Sequence, residues 1–162
     1  MSFHHLIGAK VRSAGPNRNW RPIAYLSREG TGMTAKEFVS HLFHRWEHGD
    51  GQSFFNALAE DLRWTAIGHT PISGTCTSRT EYLEKVYRPL FAFFAGPVRC
   101  QVRQIIGEGS TVVVQWHGEA PTHSGRLYIQ EYCWVIQVEG ETITEVYGYF
   151  DTAAVLELVG SS

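Results

Sequence analysis

Residues Arg126 to Asp151 read RLYIQEYCWVIQVEGETITEVYGYFD, two long runs around a Glu139-Gly140-Glu141 turn. Side chains alternate along a strand. Tyr128, Gln130, Tyr132, Trp134 and Ile136 therefore belong on one face of the first run, and Ile129, Glu131, Cys133 and Val135 on the other. In the second run Val146, Gly148 and Phe150 alternate with Tyr147, Tyr149 and Asp151. Neither run contains Pro, and both are rich in aromatic and β-branched residues, which favour strands. One face mixes large rings with a polar amide, a lining that suits a pocket better than a plain core.

Upstream of this hairpin the pattern is again strand-like at about 98–107 and 111–120, joined by the tight turn signal Glu108-Gly109-Ser110. The link from Pro121 to Gly125 predicts a rim loop. Before these strands come helices. Thr34-Ala35-Lys36-Glu37 is a capping box, and Phe38, Val39, Leu42, Phe43 and Trp46 follow it at helical spacing. Gly49-Asp50-Gly51 ends this helix, and Asp50 can cap a short second one carrying Phe54, Phe55 and Leu58. Leu62 to Ile67 predicts a short strand, closed by Gly68 and the Pro71-to-Gly74 turn. A second capping box, Ser78-Arg79-Thr80-Glu81, opens a third helix that Pro89 should kink and Gly96-Pro97 should stop. Thr152 to Val159 predicts a short closing helix. Helices first and an antiparallel sheet second make an α+β fold.

The chain has 162 residues, 43% of them hydrophobic, with five Trp, seven Tyr and nine Phe, which fits one domain with one sizeable core. The domain is expected over 33–162. Residues 1–32 lack sustained periodicity and are expected to form an extension, with Met33 as the natural start. The net charge is −2 and there is no Lys/Arg block, so nothing invites a nucleic-acid partner. No apolar run reaches the roughly 18 residues of a membrane span. Cys76, Cys100 and Cys133 form no C-x-x-C and cannot all pair, which favours reduced thiols and a cytoplasmic location.

The order of these elements resembles the nuclear transport factor 2-like superfamily, SnoaL-like branch, over about Met33 to Val159. The residues that carry the resemblance are Trp64 in the early strand, Gly68-His69-Thr70-Pro71-Ile72-Ser73-Gly74, Ser124-Gly125-Arg126, Tyr128-x-Gln130-Glu131-Tyr132-Cys133-Trp134 and Tyr149-Phe150-Asp151-Thr152. The resemblance implies a cone: a curved antiparallel sheet wrapped around three N-terminal helices, enclosing a deep apolar pocket, with a homodimer formed through the outer sheet face. It also implies where family chemistries would sit. A ketosteroid isomerase needs a carboxylate base with a Tyr and a protonated Asp as oxyanion donors. Those positions fall on Thr65 or Ala66, Leu42 and Trp134, none of which can do that work. The Asp-Arg-Asp set of the epoxide hydrolases falls on Gln115, His117 and Gly148, and the essential Asp of SnoaL-like cyclases falls near Gly148 too.

A different polar lining remains. If Gln115, His117 and Glu119 alternate inward with Trp116 outward, His117 is the acid/base candidate, since imidazole titrates near neutral pH. Glu119 would polarise it, and Tyr132 would donate a hydrogen bond to a substrate carbonyl. Trp64, Gln115, Tyr128, Gln130, Trp134 and Phe150 are the candidate ligand-binding residues. His41, His44 and His48 repeat on one helix but lie opposite its apolar stripe, which makes a solvated face. His69 and His123 fall in loops expected near the pocket mouth. No ligand set of zinc spacing occurs, and no metal or cofactor is expected. Two readings follow. One is a cofactor-independent isomerase, cyclase or dehydratase acting on an apolar carbonyl or hydroxyl substrate. The other is a non-catalytic binding or dimerisation domain for a small hydrophobic molecule.

Overall fold

The computed structural model describes residues 32–160. The extension expected over residues 1–32 lies outside the described residues except for Gly32. Thr34 caps α1 (Ala35–Glu47): its side chain accepts from the Glu37 N–H, and Glu37 reaches back to the Thr34 N–H. The helix buries the expected stripe of Phe38, Val39, Leu42, Phe43 and Trp46. Asp50 follows, and its carboxylate takes both the backbone N–H and the hydroxyl of Ser53 at the start of α2 (Gln52–Asn56).

The first strand, β1 (Leu58–Ala66), begins four residues earlier than expected because Leu58 already pairs with Ile143. A three-residue strand, β2 (Gly74–Cys76), lies against it, with Thr65 and Thr75 sharing a hydroxyl hydrogen bond of 3.0 Å. A strand this short has no periodicity to read, and the sequence pattern missed it. Ser78 caps α3 (Arg79–Tyr82), which runs through a π-helical stretch (Leu83–Tyr87) into α4 (Arg88–Phe91). Pro89 lies just beyond that wide turn, which accommodates a residue lacking an N–H and crowding the preceding carbonyls.

The remaining strands are β3 (Arg99–Glu108), β4 (Thr111–Pro121), β5 (Leu127–Glu139) and β6 (Thr142–Phe150), followed by α5 (Thr152–Val159). They form one curved, unclosed six-stranded sheet in the order β2-β1-β6-β5-β4-β3. Every pairing is antiparallel except β1 with β6. The architecture is α+β, as expected. A bulge between Val102 and Gln104 interrupts the β3–β4 ladder. The Val102 N–H there donates to a Glu47 carboxylate oxygen at 2.7 Å, which ties the end of α1 to the edge strand.

The faces of β5 and β6 fall as the alternation requires. Tyr128, Gln130, Trp134, Ile136, Val146 and Gly148 are buried, whereas Ile129, Glu131, Tyr147 and Tyr149 are exposed. On β4 the expectation is reversed. Val112, Val114, Trp116, Gly118 and Ala120 are buried, while Gln115 is exposed and His117 and Glu119 lie on the outer face. The cause is burial energy. Removing an indole from water is favourable, whereas burying an amide, an imidazole and a carboxylate together is not. Gly118 makes the inward arrangement possible, because a Cβ there would come within 3.0 Å of both the Trp116 and Tyr132 rings.

Candidate functional site: a ring-lined cavity beside an open groove

Inside the sheet the aromatic residues form one continuous cluster. Trp116 stacks on Tyr132 with centroids 4.0 Å apart and planes at 14°. Trp134 stands edge-on to Trp116 at 4.9 Å and to Trp64 at 5.0 Å, and Trp64 in turn stacks on Tyr82 at 4.2 Å. These rings enclose a cavity of about 50 Å³. Among the expected ligand-binding residues, Trp64, Tyr128, Trp134 and Phe150 line it, as does Tyr132. The described lining holds no carboxylate, imidazole, ammonium or guanidinium group.

Gln130 is 1% exposed, and its amide is committed to the protein itself. Its oxygen accepts from the Asp151 N–H at 2.7 Å. Its NH₂ donates to the Asp151 carbonyl at 2.9 Å and to the Tyr128 hydroxyl at 3.0 Å. Asp151 then caps α5 by accepting from the Ala153 N–H. Gln130 thus closes the end of β6 rather than presenting a free amide. Burial raises the Tyr128 phenol, and it raises that of Tyr132 well above the ordinary range. Both are neutral hydroxyls at physiological pH.

Beside the cavity runs an open groove of about 800 Å³. Trp46, Phe55, Phe91 and Val98 line both spaces and form the wall between them. Trp46 is held in that wall by its indole N–H, which donates to the Val98 carbonyl at 3.2 Å. His117 and Glu119 border the groove, away from the cavity. Cys100 also borders it, but burial first and Glu47 second push its thiol up to about 12, so it is no thiolate nucleophile at neutral pH. His69 and His123 are exposed and line neither space. His41, His44 and His48 are exposed on α1. No group of three or more metal-ligating side chains occurs among the described residues.

His117 has a fixed role on the outer face. Its side chain is 15% exposed, with Nε2 3.0 Å from Glu119 and Nδ1 2.7 Å from Glu131, a partner that sequence reading did not assign to it. Arg103 approaches the same Glu131 oxygen at 3.4 Å. The hydrogen bond to Glu119 first, then that to Glu131, raises the imidazole above its ordinary value. A carboxylate at each nitrogen favours the doubly protonated imidazolium, in which both nitrogens donate and no lone pair is left to act as a base. In the unfolded chain it returns to about 6.5. A group raised on folding adds stability that is fully present below its unfolded pKa and is lost as pH rises through its folded value. The thermal midpoint should therefore fall as pH climbs from about 6.5 through the native pKa. His117→Gln should flatten that part of the profile. Parallel slopes for the two proteins in a pH series of melting curves would rule this out.

Comparison with known proteins agrees with the fold. The SnoaL-like domain family matches residues 39–146, and the chain belongs to that family. Similar solved structures include an NTF2-like protein from Burkholderia thailandensis, at 20% identity and a TM-score of 0.65, covering 78% of this chain and 98% of that one. TerC, co-crystallised with polyporic acid, shows 20% identity and a TM-score of 0.61 over 78% and 98% of the two chains. A putative SnoaL-like polyketide cyclase from Jannaschia sp. CCS1 shows 17% identity and a TM-score of 0.61 over 83% and 99%. No curated protein matches the chain in sequence. No described helix is long and apolar enough to cross a membrane.

Proposed function

We propose that this chain binds a small, largely apolar molecule in the ring-lined cavity and performs no acid/base chemistry on it there. The observation that carries this reading is the lining itself: among the described residues it is rings, aliphatic side chains and neutral hydroxyls, with no His, Asp, Glu, Lys or Arg. A drug-sized ligand needs roughly 300–1,000 Å³, so binding is coupled to displacement of the wall. Phe55 and Phe91 would be the side chains to move, since they line both the cavity and the far larger groove and, unlike Trp46, are not tied by a side-chain hydrogen bond. The co-crystallisation of TerC with polyporic acid supports a small-molecule role for this fold. The test is native mass spectrometry of freshly purified protein, followed by ligand titration of His117→Gln. A bound small molecule whose affinity survives that substitution is the expected result. Affinity that collapses with His117 would overturn it.

A second reading is favoured by the position of His117 and Glu119 on the groove. There the imidazolium would act as a general acid on a carbonyl or hydroxyl substrate, as an isomerase, cyclase or dehydratase requires. Turnover that disappears in His117→Gln while cavity binding persists would favour it.

A homodimer through the outer sheet face fits both readings. Leu127, Ile129, Tyr147 and Tyr149 stand about half exposed on that face, and a two-fold contact would cover the same patch on both copies. Sedimentation should show a dimer that Ile129→Asp converts to monomer. A wild-type monomer at every concentration would remove this assignment. The three free cysteines fit a reducing, cytoplasmic setting.

A further inference from the structure

The helical run from α3 to α4 passes through a π-helical stretch, a form rare in proteins and frequent at functional sites. At its end the Arg88 N–H donates to the Leu83 carbonyl, five residues back instead of four. Both flanks are anchored. Before the stretch, Tyr82 stacks on Trp64. After it, the Ala95 N–H donates to the Pro121 carbonyl at 2.7 Å and the His123 N–H to the Phe93 carbonyl at 3.0 Å. Between the anchors, α4 contains no buried residue. The width of the turn decides which side chain stands in the wall. Phe91 lines both the cavity and the groove, stacked on Tyr87 at 3.9 Å, whereas Leu90 lines the cavity alone. Rewinding the stretch to α-helix would turn the residues after it by about 100°, one residue's step at 3.6 per turn. Leu90 would then take the place of Phe91, and Phe91 would move toward the exposed position of Ala92.

We propose that this π turn is a register switch that gates the cavity: with the turn wide, Phe91 closes the wall toward the groove, and with the turn rewound, the smaller Leu90 replaces it and opens a passage. The gate rests on the binding reading above. Pro89 holds the closed register. In the α register it would sit inside a continuous helix, leave the Lys85 carbonyl without a donor and crowd that carbonyl with its ring. The rewound register is therefore the minor one, and a ligand enters through it. One residue of slack is all the switch requires, and the turn at Ala92 and Phe93, just before the anchors, takes it up.

The test is Pro89→Ala in the full chain, alone and combined with Leu90→Phe. Pro89 is exposed, so alanine there removes no buried contact. Without ligand, relaxation-dispersion NMR should detect slow exchange in the amides of residues 90–92 that is stronger in Pro89→Ala than in the parent. Stopped-flow fluorescence with the neutral dye N-phenyl-1-naphthylamine should show association about tenfold faster in Pro89→Ala, as when an open state of about 1% rises to about 10%. The double variant should return to the parental rate, because its α register again places a ring in the wall. Equal exchange in parent and Pro89→Ala would overturn the switch. Stronger exchange with unchanged association, or a double variant as fast as the single one, would overturn the gate and leave the binding reading standing. Dye binding to none of the proteins would overturn the binding reading, and the gate with it.

Discussion

Trp134→Ala is expected to lower the free energy of unfolding by about 3–5 kcal/mol, read as a drop in the urea midpoint. Trp134 is the hub of the ring cluster. Phe43, Trp46, Phe54, Trp64, Trp116 and Tyr132 all place their centroids within 6.1 Å of its own. Truncation loses the transfer energy of the indole and leaves a void that these rings, held by both helices and sheet, fill only in part. A loss of that size is a large share of the roughly 5–15 kcal/mol that holds a domain together. Trp134→Phe keeps a ring in place and should cost far less. If both variants unfolded at the wild-type urea concentration, the cluster would not be the core described here. The same void adjoins the ring-lined cavity, so a folded Trp134→Ala protein should accept larger apolar probes than the parent does.

The second large effect is expected at Gln130. Gln130→Leu conserves shape but removes three hydrogen bonds, two of them to the backbone of Asp151. An unmet buried donor or acceptor costs roughly 1–3 kcal/mol, and solvent reaches the strand end, so a net loss of about 3 kcal/mol follows. Local opening should accompany it. Asp151 is the cap of α5, and the amides of that helix should exchange faster in the variant while those of β4 stay protected. Gln130→Glu separates polarity from pairing. Its carboxylate can still accept from the Asp151 N–H but cannot donate to the Asp151 carbonyl. Burial raises its pKa, so its deficit should grow as pH rises above the usual carboxylate range. Equal stability of Gln130→Leu and wild type would remove the amide from this structural role.

These two residues also show how far the sequence could be read. The alternation of Tyr128, Gln130, Tyr132, Trp134 and Ile136 was legible because β5 is long and packs only one of its faces on the core. The box around Thr34 was legible because capping is local chemistry. For β4 the sequence carries two competing alternations. Val112, Val114, Trp116, Gly118 and Ala120 form an uninterrupted small-or-apolar set, which competes with the polar set Gln115, His117 and Glu119 for the inward face. Hydrophobic periodicity is the stronger signal, and it would have identified Trp116 as a lining residue. Other features were beyond local reading. The parallel contact of β1 with β6 joins segments far apart in the chain, and the Glu131 partner of His117 depends on the β4–β5 register.

That parallel contact has a bearing on how the molecule is made. Trp64 pairs with Val146, about 80 residues later in synthesis. Until the final strand leaves the ribosome, the Trp64-bearing strand has only the three-residue β2 beside it, and its other edge is open. The helical half can be present and capped, but its floor arrives last. Nascent chains halted before Thr142 would carry that open edge and the indoles behind it into the cell, where a chaperone or a protease would meet them first.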